Sequence, residues 1–262
     1  MSYFTSKRFK AEKVKRFLVG TIGILVVLIF WAVLSKRFHP LILPSPGETF
    51  AAIKELLGSG KLFSNVFITV RRTFIGYSLA ILAGSLLAFI LKSSRFWQYF
   101  FRPLITIIQT TPPVLWIALA VIWFGIADDL TPIFLIFIVT FPIIFVNVFS
   151  GLDSIDKGLV EMARFYRTSH RKILFWIYLP SLIPHLVSAA SIGLAFAWKS
   201  TIFAEFIGSS SGIGFELSMA NSNLHTEKLF AWAIVLIFLM LFLEYGLIQP
   251  LKAYVTRWNK DE

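Results

Sequence analysis

Six long apolar runs, each bounded by charged or polar residues, dominate this chain. A helix of about 20 mostly apolar residues crosses the hydrocarbon core of a bilayer, which is about 30 Å thick. We therefore expect an all-α integral membrane protein with about six transmembrane helices. The expected spans are residues 17–35, 74–91, 104–126, 132–149, 182–207 and 229–248.

The composition supports a membrane protein and excludes several other classes. Apolar and aromatic residues make up 57% of the chain and charged residues 15%, against about 45–50% and 25% in soluble proteins. The absence of cysteine excludes disulfides, thiolate metal sites and a cysteine nucleophile. A net charge of +11 would suggest nucleic acid for a soluble protein, but here it is better explained by membrane orientation. We expect the lipid bilayer as a partner and no nucleic acid.

Basic residues predict the topology, since Lys and Arg are enriched in cytoplasmic loops. Residues 1–16 form a basic tail, and residues 17–262 are expected to form a single transmembrane domain. The bias places both termini in the cytoplasm and the protein in the plasma or inner membrane. It is moderate, because the expected outer segment before residue 74 also carries basic residues, Arg71 and Arg72 among them.

The sequence lacks the patterns of a catalytic or energy-converting site. Residues 58–61 resemble a phosphate-binding loop only superficially, because the required Gly and the Ser or Thr are replaced by Glu55 and Leu62. The four histidines are scattered, so no metal site is expected. We expect no catalytic residues, and energy must come from another subunit, a gradient or the substrate. A self-contained secondary transporter or channel is an alternative, but it would need an internal repeat or a proton relay.

Residues 151–180, between the fourth and fifth spans, form a longer connection than an antiparallel helix pair needs. Apolar spacing predicts a first short helix at about residues 153–166, capped by Asp153, and a second at residues 169–178 that stops at Pro180. The pair is either a docking knob or a surface helix pair on lipid headgroups, and periodicity alone leaves both open.

This connection resembles the EAA motif of permease subunits of binding-protein-dependent ABC importers. The similarity runs from Glu161 to Pro180, with Met162 in place of the first Ala and Arg167 where Gly is usual. A Gly there would turn the chain with positive φ, which Arg does only at a cost. The resemblance implies that a partner ATPase is contacted by Glu161, Met162, Ala163, Arg164, Phe165, Tyr166 and Arg167.

The resemblance extends over nearly the whole chain and points to the branch that handles sulfonates, taurine, nitrate and thiamine-precursor pyrimidines. Supporting stretches lie at residues 43–46, 69–76, 111–113 and 197–199. It implies the type I ABC importer permease fold and a homodimer of permeases. It also implies two cytoplasmic ATPase subunits, which bind ATP and Mg, and an extracytoplasmic binding protein. No cofactor is expected on this chain.

Polar and helix-breaking residues inside the spans are candidates for the translocation path. Lys199 and Glu205 interrupt the fifth span, where a lone charge costs about 2.5–3.5 kcal/mol. They lie about 240° apart around a helix, so each needs its own partner or an aqueous path. Lys199 either attracts an anionic substrate or belongs to a structural ion pair, and Pro112-Pro113 mark either a gate or a packing bend. The path or gate set is Gln109, Thr110, Thr111, Pro112, Pro113, Lys199 and Glu205.

Overall fold

The structure is a computed structural model that describes the backbone of residues 2–126 and 129–250. Asp128, expected to bound the third span, and the basic residues after residue 250 lie outside these ranges. The described residues are nearly all helical and contain no strand. In chain order the helices are α1 (Ser2–Ser35), α2 (Pro46–Gly58), α3 (Lys61–Ser93), α4 (Arg95–Thr110), α5 (Pro113–Phe124), α6 (Leu130–Asp153), α7 (Lys157–Phe165), α8 (His170–Ile173), α9 (Leu179–Gly208), α10 (Ile213–Ser222) and α11 (Thr226–Leu243).

Four helical segments of the described chain are long and apolar enough to cross a membrane: Lys61–Ser93, Leu130–Asp153, His170–Gly208 and Thr226–Gly246. A fifth is obtained if the bent pair α4 and α5 counts as one span. The first expected span, residues 17–35, corresponds to the apolar end of α1, of which Val19–Ser35 lies among the described side chains. The all-helical membrane architecture is confirmed, and the described residues contain four such segments, or five with the bent pair, besides the apolar end of α1.

The expected third span, residues 104–126, is broken at Pro112-Pro113, the pair that the sequence marked as a gate or a packing bend. The chain leaves the helix at Thr111 and Pro112, and α4 and α5 meet at an angle of 96°. Two consecutive prolines explain the break, because neither has an N–H to donate and the ring of Pro113 restricts the residue before it. Pro113 then begins α5, a position at which a missing N–H is harmless.

Helices α3, α6 and α9 form the centre of the bundle, and glycines bring them together. A Cβ on Gly76 of α3 would lie 2.8 Å from the Ile136 side chain and 2.9 Å from the Ile133 carbonyl oxygen on α6. A Cβ on Gly193 of α9 would lie 2.7 Å from Ile144 of α6. Such small-residue contacts allow close helix packing in a bilayer, where dispersion and complementarity rather than water exclusion hold helices together.

The bundle has two distinct ends, defined here by contacts. At the α2 end, Trp31 donates to the Pro44 carbonyl at 2.9 Å, and Lys228 of α11 pairs with Glu55 of α2 at 2.9 Å. At the α7 end, Lys92 at the end of α3 pairs with Asp153 at the end of α6. Helix α3 therefore runs from the α2 end to the α7 end, where it meets the end of α6.

The connection after α6 differs in detail from the expectation. The first short helix is Lys157–Phe165 and is capped by Asp156, which accepts from the Gly158 N–H at 2.7 Å, rather than by Asp153. The second does not stop at Pro180: α8 continues through a π turn at Leu174–Tyr178 into α9. The wider turn just before Pro180 accommodates its ring and missing N–H, so the helix continues to Gly208.

Candidate functional site

A cavity of about 890 Å³ opens where the break between α4 and α5 faces α6 and α9. Five of the seven expected path residues line it: Gln109, Thr111, Pro112, Pro113 and Lys199. Thr110 is not among the lining residues, and its hydroxyl donates back to the Thr106 carbonyl at 2.9 Å. The rest of the wall is mostly apolar, consisting of Ile108, Val114, Val139, Ile143, Ile192, Phe196, Ser200 and Phe203.

Lys199 is the one charged residue among those lining this cavity. Its Nζ lies 5.9 Å from the centre of the Phe196 ring, on the same helix. It forms no ion pair with the described side chains, those of residues 19–126, 129–246 and 248–250. A cation without a carboxylate partner in a largely apolar cavity attracts anions, because few protein dipoles compete for it.

Glu205 lies elsewhere, fully buried near the α2 end of the bundle. Its Oε1 accepts from Arg72 Nη1 at 3.0 Å, and its Oε2 accepts from Thr69 Oγ1 at 2.9 Å and from the Gly214 N–H at 3.0 Å. Arg72 is 1% exposed and also donates to Asp129 at 2.7 Å and to the Ser211 carbonyl at 2.7 Å. The two charges therefore form a buried, fully hydrogen-bonded pair that joins α3 to α9.

The same cluster caps the start of α10. The Ile213 N–H donates to Thr69 Oγ1 at 2.9 Å and the Gly212 N–H to Asn65 Oδ1 at 2.9 Å, in addition to the bond from Gly214 to Glu205. The carboxylate thus lies at the positive end of the α10 dipole. Gly212 is required here, since its φ is +101° and a Cβ would overlap the Glu205 carboxylate.

Sequence reasoning did not identify Arg72 as a site residue, because it was assigned to the outer segment before the second span. The helix begins instead at Lys61, so Arg72 lies within α3. The signal that could have found it is the unpaired Glu205 in an apolar run, which requires a buried cation from another helix.

Helix α7 presents an apolar patch at the other end of the bundle. Val160 is buried and Ala163 packs against the core, which fixes the helix with one side inward. Met162 is 54% exposed, Phe165 83% and Tyr166 74%. Glu161 is also exposed and forms no ion pair in the described part of the chain. An exposed aromatic patch with adjacent charge is typical of an interaction surface.

Arg167 adopts the left-handed conformation that its position requires, with φ of 53°. The Arg167 N–H donates to the Arg164 carbonyl at 2.9 Å and the Thr168 N–H to the Ala163 carbonyl at 3.0 Å. These bonds form the Schellman motif that ends a helix. The turn at which Gly is usual in the EAA motif is therefore retained, and Arg167 adopts its left-handed conformation despite the steric strain of a Cβ there.

We expect Arg167→Gly to raise the free energy of unfolding by about 0.5–1 kcal/mol. Removing the strain of a left-handed Arg stabilises the folded state by about 1–2 kcal/mol. The greater flexibility of Gly stabilises the unfolded chain by about 0.5–1 kcal/mol, which offsets part of this gain. Thermal unfolding in detergent measures the change, and Leu224→Gly, at a second left-handed residue with φ of 58°, should behave alike. Arg164→Gly, inside α7, should destabilise, and an equal loss in Arg167→Gly would contradict the strain argument.

In the described residues no group of three or more His, Asp or Glu side chains comes close enough to hold a metal ion. The arrangement contains instead a membrane bundle, a cavity at a broken helix, and an exposed short helix between two spans. A membrane bundle with a cavity at a broken helix is the architecture of a membrane transport permease.

The chain belongs to the family of binding-protein-dependent transport system inner membrane components, whose family model matches residues 80–250. It is 34% identical over 218 residues to the putative aliphatic sulfonates transport permease protein SsuC of Escherichia coli (strain K12), covering 83% of this chain and 82% of that protein. It is 25% identical over 249 residues to the taurine transport system permease protein TauC of the same strain, covering 93% and 90%.

Solved structures confirm the fold. The inward-facing MetNI methionine ABC transporter matches with a TM-score of 0.64 at 17% identity, covering 76% of this chain and 98% of that one. An amino acid ABC transporter matches with a TM-score of 0.62 at 18% identity, covering 77% and 97%. The protein is a multi-pass inner-membrane permease subunit of an ABC importer, as the EAA resemblance implied.

Proposed function

We propose that this permease imports a small organic anion of the sulfonate class, which includes taurine, with nitrate as the nearest alternative. The observation that carries the proposal is the cavity, in which Lys199 is a lone cation among apolar walls. An alkanesulfonate has one charged end and one apolar end, and it suits this lining better than the wholly polar nitrate. Relatives named for sulfonates, taurine and nitrate transport support the same class.

The proposed assembly contains two copies of this chain, two cytoplasmic ATPase subunits and an extracytoplasmic binding protein. The ATPase subunits bind ATP and Mg and contact α7. ATP is hydrolysed on those subunits and not on this chain. The exposed side chains of Met162, Phe165 and Tyr166 support that contact. ATP-driven closure of the ATPases moves α7, and because α7 is packed on the bundle, the bundle moves with it. The cavity then opens alternately to the two sides of the membrane.

Contacts at the two ends of the bundle support a cytoplasmic location for both termini. The end of α1 lies at the α2 end, where Trp31 contacts Pro44. The start of α11 lies there too, since Thr226 donates to the Leu41 carbonyl at 2.7 Å. If α7 is cytoplasmic, both α1 and α11 have their other ends on the cytoplasmic side. Cysteines introduced at residues 5 and 258 should then react with a membrane-impermeant thiol reagent only after the cells are opened.

Lys199→Met should raise the KM for uptake of an anionic solute by about tenfold or more. A hydrogen bond to a charged group contributes about 1.5–3 kcal/mol, and Met preserves most of the apolar stem. Uptake into proteoliposomes that contain the full assembly measures the change, and Lys199→Arg, which keeps the charge, is the control. An unchanged KM in Lys199→Met would remove Lys199 from the path.

Reconstitution tests the function as a whole. The permease, the ATPase and the binding protein are combined in vesicles, and ATP hydrolysis is measured with the binding protein empty or loaded with taurine, an alkanesulfonate, nitrate or a pyrimidine. We expect stimulation by a loaded binding protein, and the solute that stimulates identifies the class. Uptake by the permease alone at a normal rate would refute the proposal.

A further inference from the structure

A basic pocket, separate from the translocation cavity, lies at the α7 end of the bundle. It has a volume of about 340 Å³ and is formed where the end of α3 meets α6, α7 and α8. Its lining residues are Phe89, Lys92, Ser93, Leu152, Arg164, His170, Ile173, Leu174 and Tyr178. This size is within the range of pockets that hold small ligands.

The lining contains hydrogen-bond donors and cations but no carboxylate. Lys92 pairs with Asp153, which lines a smaller neighbouring pocket together with Glu161. Arg164 and His170 form no ion pair in the described part of the chain. Although Arg164 belongs to the motif expected to contact the ATPase, it also faces this pocket. Arg164 also lines that neighbouring pocket. The donors in this lining, with no carboxylate among them, favour an anion.

Aromatic residues at the start of α4 place this pocket at the depth of the lipid headgroups. Helix α4 follows Ser94 directly and begins with Phe96, Trp97, Tyr99 and Phe100, all exposed. Such exposed aromatic clusters mark the membrane–water interface. The last residues of α3, including Lys92 and Ser93, lie next to this cluster in the chain.

The rim of the pocket is apolar where it faces the membrane. Phe89 is 41% exposed and Leu174 48% exposed, and both lie on helices that enter the bilayer. A soluble anion would make no apolar contact with this rim, whereas the acyl chain of a lipid would cover it. The combination of cations inside and exposed apolar side chains at the edge matches an amphipathic ligand.

We propose that this pocket binds the phosphate of an anionic phospholipid, with Arg164 and His170 contacting the headgroup and Phe89 and Leu174 contacting its chain. Because the lining comes from α3, α7 and α8, the bound lipid joins the docking helix α7 to the spans beside it. The proposal does not depend on the identity of the transported solute.

The test compares the full chain in nanodiscs of phosphatidylcholine alone, of phosphatidylcholine with a minor fraction of phosphatidylglycerol, and of phosphatidylcholine with added inorganic phosphate. Native mass spectrometry counts the phosphatidylglycerol retained on the protein, and thermal unfolding is recorded for each sample. The variants are Arg164→Gln, His170→Gln and the double variant. Lys172→Gln is the control, because Lys172 lies on α8 with His170 but does not line the pocket.

We expect the wild type and Lys172→Gln to retain phosphatidylglycerol and to melt at a higher temperature in its presence. Retention should fall about fivefold in Arg164→Gln, as expected for the loss of one basic residue near a membrane, and further in the double variant. Both side chains are exposed, so melting in phosphatidylcholine should be unchanged. Equal retention in all variants, an equal loss in Lys172→Gln, or the same stabilisation by inorganic phosphate alone would overturn the proposal.

Discussion

Glu205→Gln should lower the free energy of unfolding by up to about 3–5 kcal/mol, the loss expected when one partner of a buried ion pair is removed and the other is left unpaired. Gln keeps the shape and an oxygen that accepts from Thr69 and Gly214. It leaves Arg72, which is 1% exposed, with Asp129 as its remaining carboxylate partner. The loss is expected to loosen the start of α10 as well, since the carboxylate lies at the positive end of that helix.

Thermal unfolding in detergent and the amount of protein in the membrane fraction both measure this effect. Glu227→Gln is the matched control, because it removes the same charge from the half-exposed first turn of α11. The double variant Arg72→Met/Glu205→Met should be less destabilised than the sum of its two single variants, since no unpaired charge remains. A wild-type melting temperature in Glu205→Gln would show that the pair contributes nothing to the fold.

Glu161→Lys should reduce the ATP hydrolysis stimulated by loaded binding protein by at least tenfold in the reconstituted assembly. Glu161 is exposed on α7 beside Met162, on the surface proposed to contact the ATPase. Removing a charge from a close interfacial pair costs about 2–5 kcal/mol, and reversing it adds repulsion. The permease itself should remain folded, because this side chain is exposed.

Co-purification of the ATPase with the permease and the melting temperature of the permease separate lost docking from lost folding. Lys172→Glu reverses a charge of the same size on the adjacent helix and should leave stimulation intact. Normal stimulation of ATP hydrolysis in Glu161→Lys would contradict the proposal that α7 couples the ATPase to the permease. It would not affect the assignment of the fold.

The helical architecture could be predicted from the sequence because helices are specified by patterns within short stretches of the chain. Apolar length identifies helices such as Leu130–Asp153, and the spacing of the EAA motif located α7 within a few residues. Pro112 and Pro113 were recognised as a break, but the 96° angle depends on how α5 packs against α6 and α9, which no local pattern encodes.

Long-range pairing was the part that sequence reasoning could not supply. Lys199 and Glu205 looked alike as charges in one apolar run, yet Lys199 lines a cavity and Glu205 is buried against Arg72. The separation of 133 residues between Arg72 and Glu205 hides that partnership. The left-handed turn at Arg167 shows the reverse case, in which the motif spacing predicted the geometry better than the residue type did.

That separation also has a consequence for biosynthesis. Translation at about 5–20 residues per second separates the synthesis of Arg72 from that of Glu205 by about 7 to 27 seconds. Asp129, 57 residues after Arg72, emerges sooner and serves as an interim counter-ion. Since an unpaired arginine in a bilayer costs about 2.5–3.5 kcal/mol, the order in which these two carboxylates are synthesised determines when the second span can enter lipid with its charge paired.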